Sequence, residues 1–237
     1  MDAPDRTAVY AYYALDRERE RLSADARGVL EFERSAEIIL RSLPPAPAVA
    51  EGGIARVRTR VGDARNLDLA DESADAVLML GPIYHLRRRA DRIRALREAW
   101  RVVRPGGPVF VAAISRWAPR LDGELRARIY EGDPAFRDLT VRVERTGWMP
   151  PLFDGAFTAY CHRPGQLRQE LRGAGFDVAD LVSVEGAAYL LADLAERLAS
   201  KLDWEVVLDA ARATERVPEL LGLGAHLLAT AVRPAGS

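Results

Sequence analysis

The stretch from Val57 to Arg116 constrains the fold most. It holds two short apolar runs, Ala74 to Leu80 (ADAVLML) and Pro108 to Ile114 (PVFVAAI). The first follows a turn-like DESAD, and the second is entered through Pro105-Gly106-Gly107. Continuous apolar runs of this length suit strands buried on both faces, as in a parallel sheet flanked by helices. Between them, Ile93, Leu96, Trp100 and Val103 recur at spacings of three and four. That spacing predicts a helix with one apolar face and with Arg92, Arg94, Arg97 and Arg101 mostly outside. Strand, helix, strand in this order is the right-handed crossover unit of an α/β sheet.

The remaining segments extend that unit. Val29, Phe32, Ala36, Ile39 and Leu43 form a helical stripe that Pro44-Pro45 ends. Residues 46–56 read as a linker, and Val57 to Val61 as a short strand with one wet face. After Arg116, residues 117–156 are irregular and rich in aromatics, prolines and glycines. Pro164 suits the first turn of a helix ending at Gly173 or Gly175. Asp177 to Val184 is a strand candidate. Leu190, Leu194 and Leu198 line one helix, and Trp204, Val207, Leu208 and Ala211 another. Ala225 to Val232 is a final strand.

GDARNLDLADESADAVLMLGPIYHL followed by LREAWRVVRPGGPVFVAAI resembles the second half of the nucleotide-binding domain of class I S-adenosylmethionine-dependent methyltransferases. The resemblance implies an α/β, Rossmann-like, mostly parallel sheet of about five strands, the last antiparallel, with flanking helices. It implies one methyltransferase-like domain over residues 1–237. Residues 1–45 would be an N-terminal helical cap, 57–115 and 157–233 the sheet core, and 116–156 a lid insertion. It also implies S-adenosylmethionine as cofactor. Asp63 and Ala64 would lie by the adenine, and Leu80, Gly81 and Pro82 would pass close to the cofactor at the end of a strand. His85 is the candidate catalytic base. Each has a plainer reading: Asp63 as a turn aspartate, Gly81 as a turn former, and His85 as a packed core histidine.

One part of the family pattern is absent. No GxGxG stands upstream of Asp63, and Gly52-Gly53 follows no apolar strand. A first strand with its Gly-rich loop, the following helix and a second strand ending in an acid have no match in the sequence. In the family these carry the cofactor's methionine and ribose.

Composition excludes other classes. A net charge of −1 gives no field to draw nucleic acid or an anionic membrane. One cysteine, Cys161, rules out a disulfide framework, and three scattered histidines argue against a metal site. No apolar run is long enough to span a bilayer, so the expected location is the cytoplasm. Two functions follow. One is methyl transfer to a small-molecule acceptor, impaired by the missing loop. The other is a non-catalytic binding or scaffold protein of methyltransferase shape. An unpaired sheet edge would invite a homo-oligomer in either case.

Overall fold

A computed structural model describes residues 21–43, 60–151 and 156–236. The expected linker at 46–56, residues 57–59 of the expected first strand, and the start of the cap at 1–20 lie outside those residues. Helix α1 (Ala26–Ser42) comes first. Asp25 caps it, its carboxylate accepting the backbone N–H groups of Arg27 and Gly28 at 2.9 Å each. Then follow β1 (Val77–Met79), the single turn α2 (Pro82–His85), α3 (Arg89–Val102) and β2 (Pro108–Ser115). A π-helical segment at Pro119–Arg126 leads to α4 (Phe136–Thr146) and the two-residue β3 (Trp148–Met149). The chain closes with β4 (Ala159–His162), α5 (Pro164–Gly173), β5 (Asp177–Ser183), α6 (Leu194–Leu198), α7 (Lys201–Thr214) and β6 (His226–Val232).

The six strands form one sheet in the order β3-β4-β2-β6-β5, with β1 also paired to β2. β1 and β4 run parallel to β2. β6 is antiparallel to both β2 and β5, and β3 is antiparallel to β4. So β1, β2, β4 and β5 point one way, and the last strand is reversed as expected. β6 covers one edge of β2 along its length, from Pro108 to Ile114. β1 and β4 therefore share the other edge: β1 beside Val109 to Val111, and β4 beside Ile114 and Ser115.

Side-chain alternation divides the core between two faces. Val109, Val111, Ala113, Leu181, Leu227 and Ala229 face α3 and α5, where Leu96, Ala99, Leu167 and Leu171 complete a buried cluster. Phe110, Val182, Val184 and Leu228 face Ile38 and Ile39 of α1.

Four expectations need correction. Arg92 is not outside: it is 2% exposed and paired with Glu170 of α5 at 2.7 and 2.9 Å. A buried partner carboxylate made an inward arginine the stable choice. The stripe of α1 is also rotated, since Leu30, Ile38 and Ile39 are buried while Phe32 is 55% exposed. Arg60 and Val61 form no strand, and Val61 is exposed. Finally, Ala159–His162 is a strand that the pattern did not suggest, because a run of four residues is too short for alternation to show.

Candidate functional site

In an open α/β sheet, ligands bind beyond the carboxyl ends of the parallel strands. At that edge lie the turn after β1, the ends of β2 and β4, the segment after β5, and the start of the antiparallel β6.

The Asp63 turn is held against α3. Asp63 accepts the backbone N–H of Arg65 at 3.0 Å and a two-pronged pair from its guanidinium at 3.0 and 2.6 Å. Arg65 also reaches Asp91 at 3.1 Å. Further along, Glu98 accepts the Leu67 N–H, and Arg94 and Arg101 donate to the carbonyls of Arg65, Leu67 and Leu69. α3 thus straps the loop through its outward charges. Ala64 packs on the cluster holding Met79, Ile83 and Leu86, which brackets Gly81-Pro82. Arg65 thus ties the Asp63 turn to Asp91 at the start of α3, and Gly81-Pro82 precedes that helix in the chain. Gly81 makes the turn out of β1, and Tyr84 closes it by donating its hydroxyl to the Leu80 carbonyl at 3.1 Å. Leu80 is 42% exposed.

His85 is 8% exposed, and its Nδ1–H donates to the Thr158 carbonyl at 3.2 Å. The rings of Tyr84 and Phe157 pack edge-on against it. Thr158 leads into β4, so His85 meets a strand that occupies the space just past the end of β1. Beyond it, His162 of β4 sets Nε2 3.3 Å from Glu170, under a guanidinium–ring stack of Arg92 on Tyr160 at 3.6 Å. Burial holds the His162 pKa below its ordinary value. Burial also disfavours the charged Glu170, but hydrogen bonds from His162 and Arg92 outweigh it and bring its pKa down to about 2.

A second group was not found from sequence. A cavity of about 330 Å³ opens at the ends of β5 and β6, lined by Glu31, Asp122, Arg126, Glu185, Tyr189 and His226 among others. Glu185 follows β5 and is 2% exposed. One of its oxygens accepts the backbone N–H of His226 at 3.0 Å, and the other accepts Nδ1–H at 2.5 Å. Glu31 of α1 stands 3.9 Å from the same Nδ1 and takes two hydrogen bonds from Arg21 at 2.5 and 2.9 Å. Burial disfavours the imidazolium, but the Glu185 and Glu31 charges prevail and push the His226 pKa up to about 9. Tyr189 is 3% exposed, and its hydroxyl has no hydrogen-bond partner among the described residues. Burial, with Asp122 and Glu185 nearby, raises its pKa. Glu31, Glu185 and His226 are too far apart in the chain to form a motif. The strand-end rule applied to β5 and β6 is the only signal that could have found them.

The sheet, its flanking helices and this carboxyl-end edge define an α/β protein of Rossmann-like type. Residues 14–111 match the family model of a methyltransferase domain. The human protein named "Probable tRNA methyltransferase 9B" is 41% identical over 51 residues, which span 22% of this chain and 11% of that protein. A methyltransferase from Methanosarcina mazei superposes with a TM-score of 0.46 at 15% identity, over 85% of this chain and 77% of that one. A Thermotoga maritima protein, described as a possible histamine N-methyltransferase, gives 0.40 at 23% identity over 73% and 61%.

Proposed function

We propose that this chain is an S-adenosylmethionine-dependent methyltransferase of a small-molecule acceptor, with cofactor binding weakened by the lack of a Gly-rich loop upstream of Asp63. The family match over 14–111 carries this reading, because it includes the Asp63-Ala64 and Leu80-Gly81-Pro82 turns together with His85. These residues fit the adenine end of the cofactor. Leu80 offers an exposed apolar wall, and a Cβ on Gly81 would meet only the Tyr84 hydroxyl at 3.7 Å. Among the described residues no strand precedes β1, so the ribose and methionine end has no counterpart there. The cofactor would supply an activated methyl group. The chain's part is to hold the acceptor in line with it and to exclude water. Asp63, Ala64, Leu80, Gly81 and Pro82 would hold the adenosyl group. His85, fixed by Thr158, would position or deprotonate the acceptor.

The net charge of −1 favours a neutral metabolite over nucleic acid as acceptor. No described helix is long and apolar enough to cross a membrane, and we place the protein in the cytoplasm. A homo-oligomer through the outer edge of β1, where Leu78 is 54% exposed, fits the same reading.

Calorimetric titration with S-adenosylmethionine and S-adenosylhomocysteine is the test. Saturable binding that Gly81→Val abolishes is expected, since the new methyls enter the crevice without disturbing the core. If neither compound binds at millimolar concentration, the enzyme reading fails. The second reading, a non-catalytic binding or scaffold protein, would then stand. One observation already favours it: β4 and the His85–Thr158 hydrogen bond fill the space past the end of β1.

A further inference from the structure

We propose that Glu31, Glu185 and His226 form a binding site for one divalent transition-metal ion of the zinc class, at the mouth of the cavity beyond β5 and β6. The proposal does not rest on methyl transfer. Each residue comes from a different element: the first half of α1, the segment leaving β5, and the first residue of β6. One ligand atom from each lies within 4.8 Å of the others. A tetrahedral zinc ion with bonds of about 2.0–2.2 Å sets its ligand atoms roughly 3.3–3.5 Å apart. Side-chain rotation is therefore enough to close the site. An imidazole with two carboxylates suits zinc or manganese better than magnesium, which prefers oxygen ligands throughout.

The surroundings are built to hold this arrangement. The His226 backbone N–H fixes one oxygen of Glu185 and leaves the other facing the ring nitrogen, an outer contact of the kind that orients metal ligands. Gly224 makes the room: a Cβ there would stand 2.2 Å from Ser183 Oγ and 3.3 Å from Glu185 Oε2. The Tyr189 hydroxyl is a second, independent sign. It belongs to a residue lining the same cavity, it is buried, and among the described residues nothing bonds it. A buried hydroxyl without a partner costs free energy unless a ligand or bound water satisfies it. An ion carrying a water or a substrate oxygen in its fourth position supplies that partner. Arg21 now neutralises Glu31 from a side chain that is 38% exposed, so it can swing out. Zinc would replace its charge, together with the proton between His226 and Glu185.

Equilibrium dialysis of the untagged full chain against zinc chloride, after removal of metal with a chelator, tests the site. One zinc per chain is expected. Glu31→Gln and His226→Gln should each weaken binding at least about tenfold, the scale seen when metal-site groups are lost. Arg21→Ala should tighten it several-fold, because it removes the competing cation. A merely structural Arg21–Glu31 pair would not do that. Glu31→Gln preserves the shape of the side chain and keeps the test decisive if His226→Gln fails to fold. Absence of saturable zinc binding overturns the proposal. So does zinc that binds Glu31→Gln as tightly as the parent, or an Arg21→Ala variant that binds no better than the parent.

Discussion

The described residues contain two histidine–glutamate pairs at the edge beyond the carboxyl ends of the parallel strands, and they have opposite characters. His162–Glu170 is sealed: both side chains are almost fully buried, and Arg92 caps the carboxylate with two hydrogen bonds. His226–Glu185 borders a cavity, with its imidazole 24% exposed. The first histidine is sealed from water, and burial, with Arg92 and Arg116 adding to it, makes it lose its proton readily. The second lies between two carboxylates and keeps it. Residue type is thus a poor guide to role. The sign of the surrounding charge and access to solvent separate a structural pair from one able to exchange its proton for a ligand.

Removing the carboxylate from the sealed pair should produce the largest effect. Glu170→Ala leaves Arg92 and His162 buried without a counter-charge, a loss of about 3–5 kcal/mol for a broken buried pair. Urea denaturation of variant and parent measures it. His226→Gln should cost well under half as much, because water in the cavity can solvate Glu185. Equal losses would erase the distinction between the two pairs.

Next in size is Gly147→Ala. Gly147 ends α4 with φ +85°, and a Cβ would stand 2.6 Å from Arg116 Nη2 and 2.8 Å from the Tyr160 ring. Left-handed strain of about 1–3 kcal/mol adds to the cost of displacing Arg116 from the Cys161 carbonyl. A matched thermal melt of Gly224→Ala, the glycine of the open pair, separates the regions. It should lower stability less, since Gly224 carries no left-handed strain, and it should shift Glu185.

Much of this was legible in the sequence. The apolar runs fixed β1, β2 and β6 to within three residues at each end, and Trp204, Val207, Leu208 and Ala211 are the buried face of α7. Those signals are local, repeating at two or at three to four residues. What was missed is non-local. Arg92 turns inward only because Glu170, 78 residues later, is waiting there. β4 is a strand only because β2 offers Ile114 and Ser115 as partners. The Glu31–Glu185–His226 group exists only once α1 has docked on the sheet. The predicted turns at Asp63 and Gly81 both precede α3 in one crossover unit, which is a local feature of the chain. Arg65, two residues from Asp63, takes up much of its carboxylate by a pairing that residue spacing does not reveal.

The smallest expected effect is in acid, and it tests the sealed pair without mutation. Glu170 has its pKa lowered from 4.5 to about 2, and His162 has its own lowered from 6.5. In both cases the unfolded chain binds protons more readily than the folded one. Their contribution to stability is therefore complete above pH 6.5. It erodes as the pH falls through 6.5 for the histidine, and then through 4.5 toward 2 for the glutamate. Denaturant midpoints measured from pH 5 down to pH 2 should fall for the parent. They should fall less steeply for Glu170→Gln, which has no carboxylate to titrate. A parent and variant with parallel slopes would mean that Glu170 is not held ionised by Arg92 and His162, and the contrast between the two pairs would then rest on solvent access alone.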